Sequence, residues 1–159
     1  MVQVCFVCLG NICRSPLAEG VFKSLVAREG LENKIFVSSA GVGDWHIGEL
    51  PDARMMQTAR KNGLQLTSRA RQFQAEDFHS TDLILAMDES NLSALEQMSP
   101  SLDAREKLRL FRSFDQENRG DLNVPDPYYG GAGGFDHVFE IVQRTCPGVL
   151  QFIKDRSGL

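Results

Sequence analysis

The stretch Val2 to Leu9, VQVCFVCL, is almost entirely apolar and rich in valine, and shortly after it Ser15-Pro16 carries the marks of a helix start. A strand that is apolar at nearly every position is buried on both faces, which belongs to parallel sheets covered by helices. Ser is a favoured helix N-cap and Pro suits the first helical position, so a helix is expected to open at Ser15-Pro16. Leu17, Val21, Leu25 and Val26 give it an apolar face, and Gly30 ends it. A buried strand feeding directly into a helix confines the chain to an α/β architecture.

The same alternation continues. Ile35 to Ser39 reads as a second short strand, and Pro51-Asp52 opens a helix that Gly63 closes. Leu83 to Met87 is a third strand, Asp88 caps the helix after it, and Lys107 to Phe111 is a weaker fourth strand. Phe135 to about Lys154 forms a last helix with Val138, Ile141, Val142, Leu150 and Ile153 facing inward, and Pro147 is expected to kink or break it. The expectation is one domain over residues 1–159: a doubly wound, four-stranded parallel sheet with helices on both faces, in a flavodoxin-like topology. Asp115 to Gly134, dense in Pro and Gly, is a long loop, and loops of that length inside compact domains are usually functional. Ligands of such folds sit beyond the carboxyl ends of the strands.

Composition narrows the partners. The chain has 159 residues, and 21 acidic against 17 basic side chains give a net charge of −4. A mildly acidic chain has no general attraction for a phosphate backbone or an anionic bilayer, so neither nucleic acid nor membrane is an expected partner. Affinity for anions must come from a local site. Four cysteines are too few for a disulfide scaffold at this length, Met1-Val2-Gln3-Val4 does not read as a signal peptide, and no apolar run approaches the ~20 residues that span a bilayer. The expectation is a reduced, cytoplasmic protein, with a monomer as the default state. His46, His79 and His137 show no ligand spacing, and no metal or other cofactor is expected.

The loop that joins the first strand to the first helix, Cys8-Leu9-Gly10-Asn11-Ile12-Cys13-Arg14-Ser15, is the most unusual segment of the chain. Successive backbone N–H groups at a helix N-terminus form an anion-binding concavity. Arg14 adds a planar fork that matches two oxygens of a tetrahedral oxyanion. The same field favours a thiolate at Cys8, which equips the loop for attack on phosphorus. The bland alternative is a buried cysteine at a strand end. Cys5 and Cys8, three apart on a strand, face opposite sides and cannot share a metal or a disulfide.

The run Val7 to Pro16 resembles the phosphate-binding loop of the low-molecular-weight protein tyrosine phosphatases. Ser39-Ala40-Gly41 with Asp44-Trp45, then Met87-Asp88-Glu89-Ser90-Asn91-Leu92, and Asp126-Pro127-Tyr128-Tyr129-Gly130 follow in that family's order, so the likeness extends along nearly the whole chain. The resemblance implies hydrolysis of phosphotyrosine, in a protein, a peptide or a small aryl phosphate, through a phosphocysteine, with inorganic phosphate as product. Cys8 would attack, and Arg14 with the amides of Leu9, Gly10, Asn11, Ile12, Cys13, Arg14 and Ser15 would hold the phosphoryl oxygens.

By local sequence Asp126, between Pro125 and Pro127, reads as a turn former; the resemblance reverses this, because Asp126 matches the family's general acid. Ser15 would support the sulfur, Asn11 and Ser39 would brace the loop, and Trp45, Tyr128 and Tyr129 would wall the pocket. Cys13 would be a redox partner able to form a reversible disulfide with Cys8. The resemblance departs at Ser68, where the family often carries a His that braces the loop. Two rivals remain. An arsenate reductase on the same fold relays a disulfide through further cysteines, and residues 64 to 107 contain none. A non-catalytic oxyanion-binding module would keep the loop without turnover.

Overall fold

A computed structural model of the chain describes every residue except Ala132. Four parallel strands lie in the order β2-β1-β3-β4: β1 Val2–Cys8, β2 Ile35–Gly41, β3 Leu83–Ala86 and β4 Leu108–Leu110. The helices are α1 Arg14–Arg28, α2 Ala53–Lys61, α3 Asp77–Ser80, α4 Glu89–Met98, α5 Leu102–Arg105 and α6 Gly133–Ser157. Two 3-10 turns, Phe111–Phe114 and Pro127–Tyr129, interrupt the longer connections. β1 is the interior strand from which the order departs both ways, and its register pairs Cys8 with Gly41 and Val7 with Ala86. The crevice of such a sheet opens at the carboxyl end of that strand.

Alternation along β1 divides the core in two. Val4, Phe6 and Cys8 pack with α1 and α6 through Leu17, Phe22, Val138 and Ile141. Phe6 meets Phe22 and Phe111 edge-on, both at 5.6 Å. Cys5 and Val7 point to the other layer, against Phe73, Phe78 and Leu95. Cys5 and Cys8 therefore lie on opposite faces, as their spacing requires.

Three local expectations change. The cap of α1 is Cys13, without a side-chain hydrogen bond, and Ser15 stands inside the first turn with its hydroxyl engaged elsewhere. β3 stops at Ala86 and β4 covers only Leu108–Leu110, because the chain turns directly into the 3-10 segment at Phe111. Pro147 does not end α6. The lost amide is outweighed by packing, since Cys146, Val149, Leu150 and Ile153 on either side are all buried against the core. Asp52 and Asp88 do cap α2 and α4, accepting from the amides of Arg54 at 2.8 Å and Asn91 at 2.7 Å.

Gly148, one residue after that proline, carries a prediction. A Cβ there would collide with the carbonyl oxygen of Phe114, a backbone atom that cannot swing aside. Gly148→Ala gains about 1 kcal/mol of helix propensity, whereas overpacking costs about 1–3 kcal/mol, so the net sign is destabilising. Thermal unfolding should show a midpoint lowered by a few degrees. A variant more stable than the wild type would mean the helix and the 3-10 turn are free to separate.

Candidate active site

Cys8 is the last residue of β1, and the loop after it is held from outside by its carbonyls. Cys8 O accepts from Val42 N (3.0 Å), Leu9 O from Gly43 N (2.9 Å) and Ile12 O from Asp52 N (2.8 Å). In a trans peptide the C=O and the next N–H point opposite ways, so the amides of Leu9, Gly10 and Cys13 are turned to the inner side. Arg14 then opens α1, whose N-terminal end adds positive potential to the same concavity. Two residues permit this path. A Cβ on Gly41 would stand 2.9 Å from Leu9 O and 3.1 Å from Asn11 N. Asn11 itself takes φ 58, a left-handed conformation that Asn tolerates better than most residues.

Asn11 turns its side chain into a proton-ordering relay. The Arg71 N–H donates to Asn11 Oδ1 at 3.0 Å, which directs Nδ2 to the hydroxyls of Ser15 (2.7 Å) and Ser39 (3.0 Å). Each hydroxyl accepts from the amide and keeps its own proton to give. Ser39 gives its proton to Glu19 Oε1 at 2.6 Å. Ser15 Oγ lies 3.0 Å from Cys8 Sγ and 3.4 Å from Ala40 O, so the sulfur is the nearer of the two acceptors open to its proton. All of Asn11, Ser15, Glu19 and Ser39 are buried.

Arg14, 2% exposed, is fixed from behind. Its Nη1 donates to Asp88 Oδ2 at 2.6 Å and to Val124 O at 2.9 Å, while Nη2 lies 3.5 Å from Asp126 Oδ2. Burial works against the cation, but Cys8, Asp88 and Asp126 outweigh it and hold its pKa above the ordinary value. Asp88 serves two structures at once, capping α4 through Oδ1 and holding Arg14 through Oδ2.

These parts enclose a cavity of about 320 Å³. Cys8, Leu9, Gly10, Ile12, Cys13 and Arg14 line it from the loop, and Trp45, His46, Asp126, Tyr128 and Tyr129 from the surrounding walls. Trp45 and Tyr129 are 67% and 84% exposed, so the walls present aromatic surface to solvent. Tyr128 is steadied by Arg54, whose guanidinium sits 5.4 Å from its ring centroid while gripping Asp52. Burial pushes the pKa of Cys13 well up, helped by Asp52, and burial raises Cys5 to about 11 and Cys146 higher still. Among the described residues no group of three His, Cys, Asp or Glu side chains is arranged to hold a metal ion.

The pocket thus gathers Cys8, Cys13, Arg14, Trp45, Asp126, Tyr128 and Tyr129, while Asn11, Ser15 and Ser39 stand behind the loop. Sequence reasoning took Asp88 only for a cap and missed Glu19 and Arg71. The one signal for Glu19 is its spacing, a carboxylate one helical turn after Ser15. The expected brace near Ser68 comes instead from the backbone amide of Arg71. A backbone amide is not a side-chain signature, so nothing in the residue types pointed to it.

Comparison with known proteins places this geometry among relatives. A sequence model described as "Low molecular weight phosphotyrosine protein phosphatase" matches residues 3–157. A Streptomyces coelicolor low molecular weight protein-tyrosine-phosphatase is 44% identical over 155 residues, covering 97% of this chain and 94% of the relative. A protein tyrosine phosphatase from Entamoeba histolytica superposes with a TM-score of 0.92 at 36% identity, over 99% of both chains. A Drosophila protein described as an arginine phosphatase superposes with a TM-score of 0.88 at 38% identity, over 96% of this chain and 98% of its own.

Proposed function

The chain belongs to the low molecular weight phosphotyrosine protein phosphatase family, and on that premise we propose that it hydrolyses phosphotyrosine through a phosphocysteine, with Cys8 as nucleophile and Asp126 as general acid and base. The carrying observation is that one pocket gathers both reacting side chains with a guanidinium: Cys8, Arg14 and Asp126 line it together, and Arg14 Nη2 is 3.5 Å from Asp126 Oδ2.

In the first step Cys8 Sγ attacks phosphorus and the bond to the phenolic oxygen breaks. A tyrosine leaving as phenolate has a pKa near 10, so Asp126 gives that oxygen a proton as the bond opens. Arg14 and the inward amides of Leu9, Gly10 and Cys13 stabilise the phosphoryl oxygens throughout. Water then attacks the phosphocysteine and gives its proton to Asp126, and Cys8 leaves as a thiolate that the Ser15 hydroxyl supports at 3.0 Å. Inorganic phosphate is released. Trp45, Tyr128 and Tyr129 offer faces on which an aryl ring stacks, which favours phosphotyrosine over an aliphatic phosphomonoester.

A peroxide would take two electrons from the Cys8 sulfur and leave a sulfenic acid, which the Cys13 thiol would attack, expelling water and closing a disulfide inside the loop; both cysteines line the one cavity.

Steady-state hydrolysis of para-nitrophenyl phosphate, a phosphotyrosine peptide and phosphoarginine, in excess chelator, tests the reading. Both aryl substrates should turn over fully without metal, ahead of phosphoarginine. Turnover confined to phosphoarginine would reassign the substrate along the line of the Drosophila relative. Thiol-coupled consumption of arsenate without phosphatase activity would make the chain a reductase. Phosphate binding with no turnover at all would leave an oxyanion-binding module. Among the described residues no helix is long and apolar enough to cross a membrane, and the proposed setting remains the cytoplasm.

A further inference from the structure

A second charged cluster lies outside the pocket, under the loop that carries Asp126. Asp115 is 2% exposed and accepts from two guanidinium groups: from Arg144 Nε (3.0 Å) and Nη2 (3.1 Å), and from Arg112 Nε (3.1 Å). The backbone N–H of Glu117 completes its shell at 2.9 Å. Two cations on one buried carboxylate leave positive charge in surplus, and the two arginines differ in where it goes. Arg144 is partly exposed and turns its fork on Asp115. Arg112 is 6% exposed and reaches onward: its Nη1 donates to Asn123 O at 2.9 Å and lies 3.3 Å from Asp121 Oδ2.

The gripped residue is a junction. Asn123 Oδ1 accepts from Glu89 N at 2.8 Å, Val124 N donates to Met87 O at 2.8 Å, and Val124 O accepts from Arg14 Nη1 at 2.9 Å. Pro125 and Asp126 follow at once. The segment from Asp115 to Asp126 belongs to no helix or strand, so its exit is fixed by these point contacts rather than by a ladder.

We infer that Arg112 is a positioning residue for the reaction: by clamping the Asn123 carbonyl from a buried, Asp115-anchored guanidinium, it fixes the direction in which Asp126 enters the pocket. The inference rests on the assignment of Asp126 as the acid. The clamp needs a planar fork with donors at two separated positions, one for Asp115 and one for Asn123. Lysine concentrates its donors on a single nitrogen at the end of a flexible stem and cannot span both. A small displacement at a reacting group is amplified in the rate, because proton transfer requires hydrogen-bond reach.

The test compares kcat/KM for phenyl phosphate, whose leaving group needs the proton, with 2,4-dinitrophenyl phosphate, whose leaving group does not. Both are assayed on one preparation, so the ratio does not depend on how much of the protein is folded. Arg112→Lys should lower the phenyl phosphate value by about tenfold and leave the dinitrophenyl value within about twofold. Arg144→Lys, which disturbs the same carboxylate without touching Asn123, should lower the thermal midpoint and leave the ratio unchanged. Equal loss on both substrates, no loss on either, or the same ratio shift in Arg144→Lys would overturn the clamp. Asp126→Asn separates the two levels. If it widens the ratio while Arg112→Lys does not, only the clamp fails. If it leaves the ratio flat, the acid assignment fails and the clamp with it.

Discussion

Replacing Cys8 by Ser should abolish turnover, by roughly 10⁴-fold or more, the scale on which loss of a nucleophile acts in covalent catalysis. The substitution changes one atom at the floor of the pocket and leaves the outward carbonyl bonds of the loop in place, since these are made by backbone. A hydroxyl from Ser15 at 3.0 Å supports a thiolate, but an aliphatic alcohol lies far too high for one hydrogen bond to ionise it. No other thiol stands ready. Cys13 shares the cavity, yet burial and the charge of Asp52 raise its pKa and disfavour the thiolate. The variant should therefore still bind phosphate, measured by calorimetry, while kcat for para-nitrophenyl phosphate falls to background. Turnover within tenfold of the wild type would place the nucleophile elsewhere.

Asp126→Asn should cost about 10²- to 10³-fold on a phosphotyrosine peptide and clearly less on para-nitrophenyl phosphate. The difference follows from the leaving groups, since nitrophenolate departs with little help and a tyrosine phenolate does not. Asn keeps the shape of the side chain and its ability to accept from the Tyr128 amide, now at 3.0 Å from Asp126 Oδ1, so the turn at Pro127–Tyr129 should persist. It leaves Arg14 its anchors at Asp88 Oδ2 and Val124 O, so the guanidinium stays in place for the incoming dianion. The expected signature is thus a fall in kcat/KM graded by leaving group, with KM for the peptide unchanged or lower. A uniform loss across leaving groups would take the role of acid away from Asp126.

Much of this arrangement was legible in the residues. The unbroken apolar run of β1 demanded burial on both faces, and the sheet supplies α1 and α6 on one side and Phe73, Phe78 and Leu95 on the other. That Cys8 and Arg14 share one pocket was readable because a strand, a glycine-containing loop and a helix start occur together at one place. Asp126 was not readable by local sequence, where a proline-flanked aspartate is an ordinary turn former; it needed the family's order of motifs. The rest escaped for a common reason. Asp88, Arg71 and Arg112 act through partners 74, 60 and 11 residues away, and periodicity and capping rules see only neighbours. Ser15 misled by chemistry: a good cap is also a good sulfur partner, and the buried Asn11 amide decided between the two uses. Pro147 misled because its local cost is real and is outweighed only by packing that a sequence does not display.

The interior place of β1 has a consequence for how the protein is made. Val4 pairs with Val37 on one side and with Leu83 on the other, so the strand that ends in Cys8 gains one neighbour first and the second only after β3 is made. The atoms that hold Arg14, on Asp88 and Val124, leave the ribosome later again, and Asp126 follows them. Parallel pairing across such separations is slow, and domains complete it as units. A nascent chain halted short of residue 88 carries the Cys8 loop with neither anchor for the Arg14 guanidinium and without Asp126. Every group that meets the Arg14 guanidinium is thus supplied after β3, so a chain that stops short of them has the Cys8 loop without its surroundings.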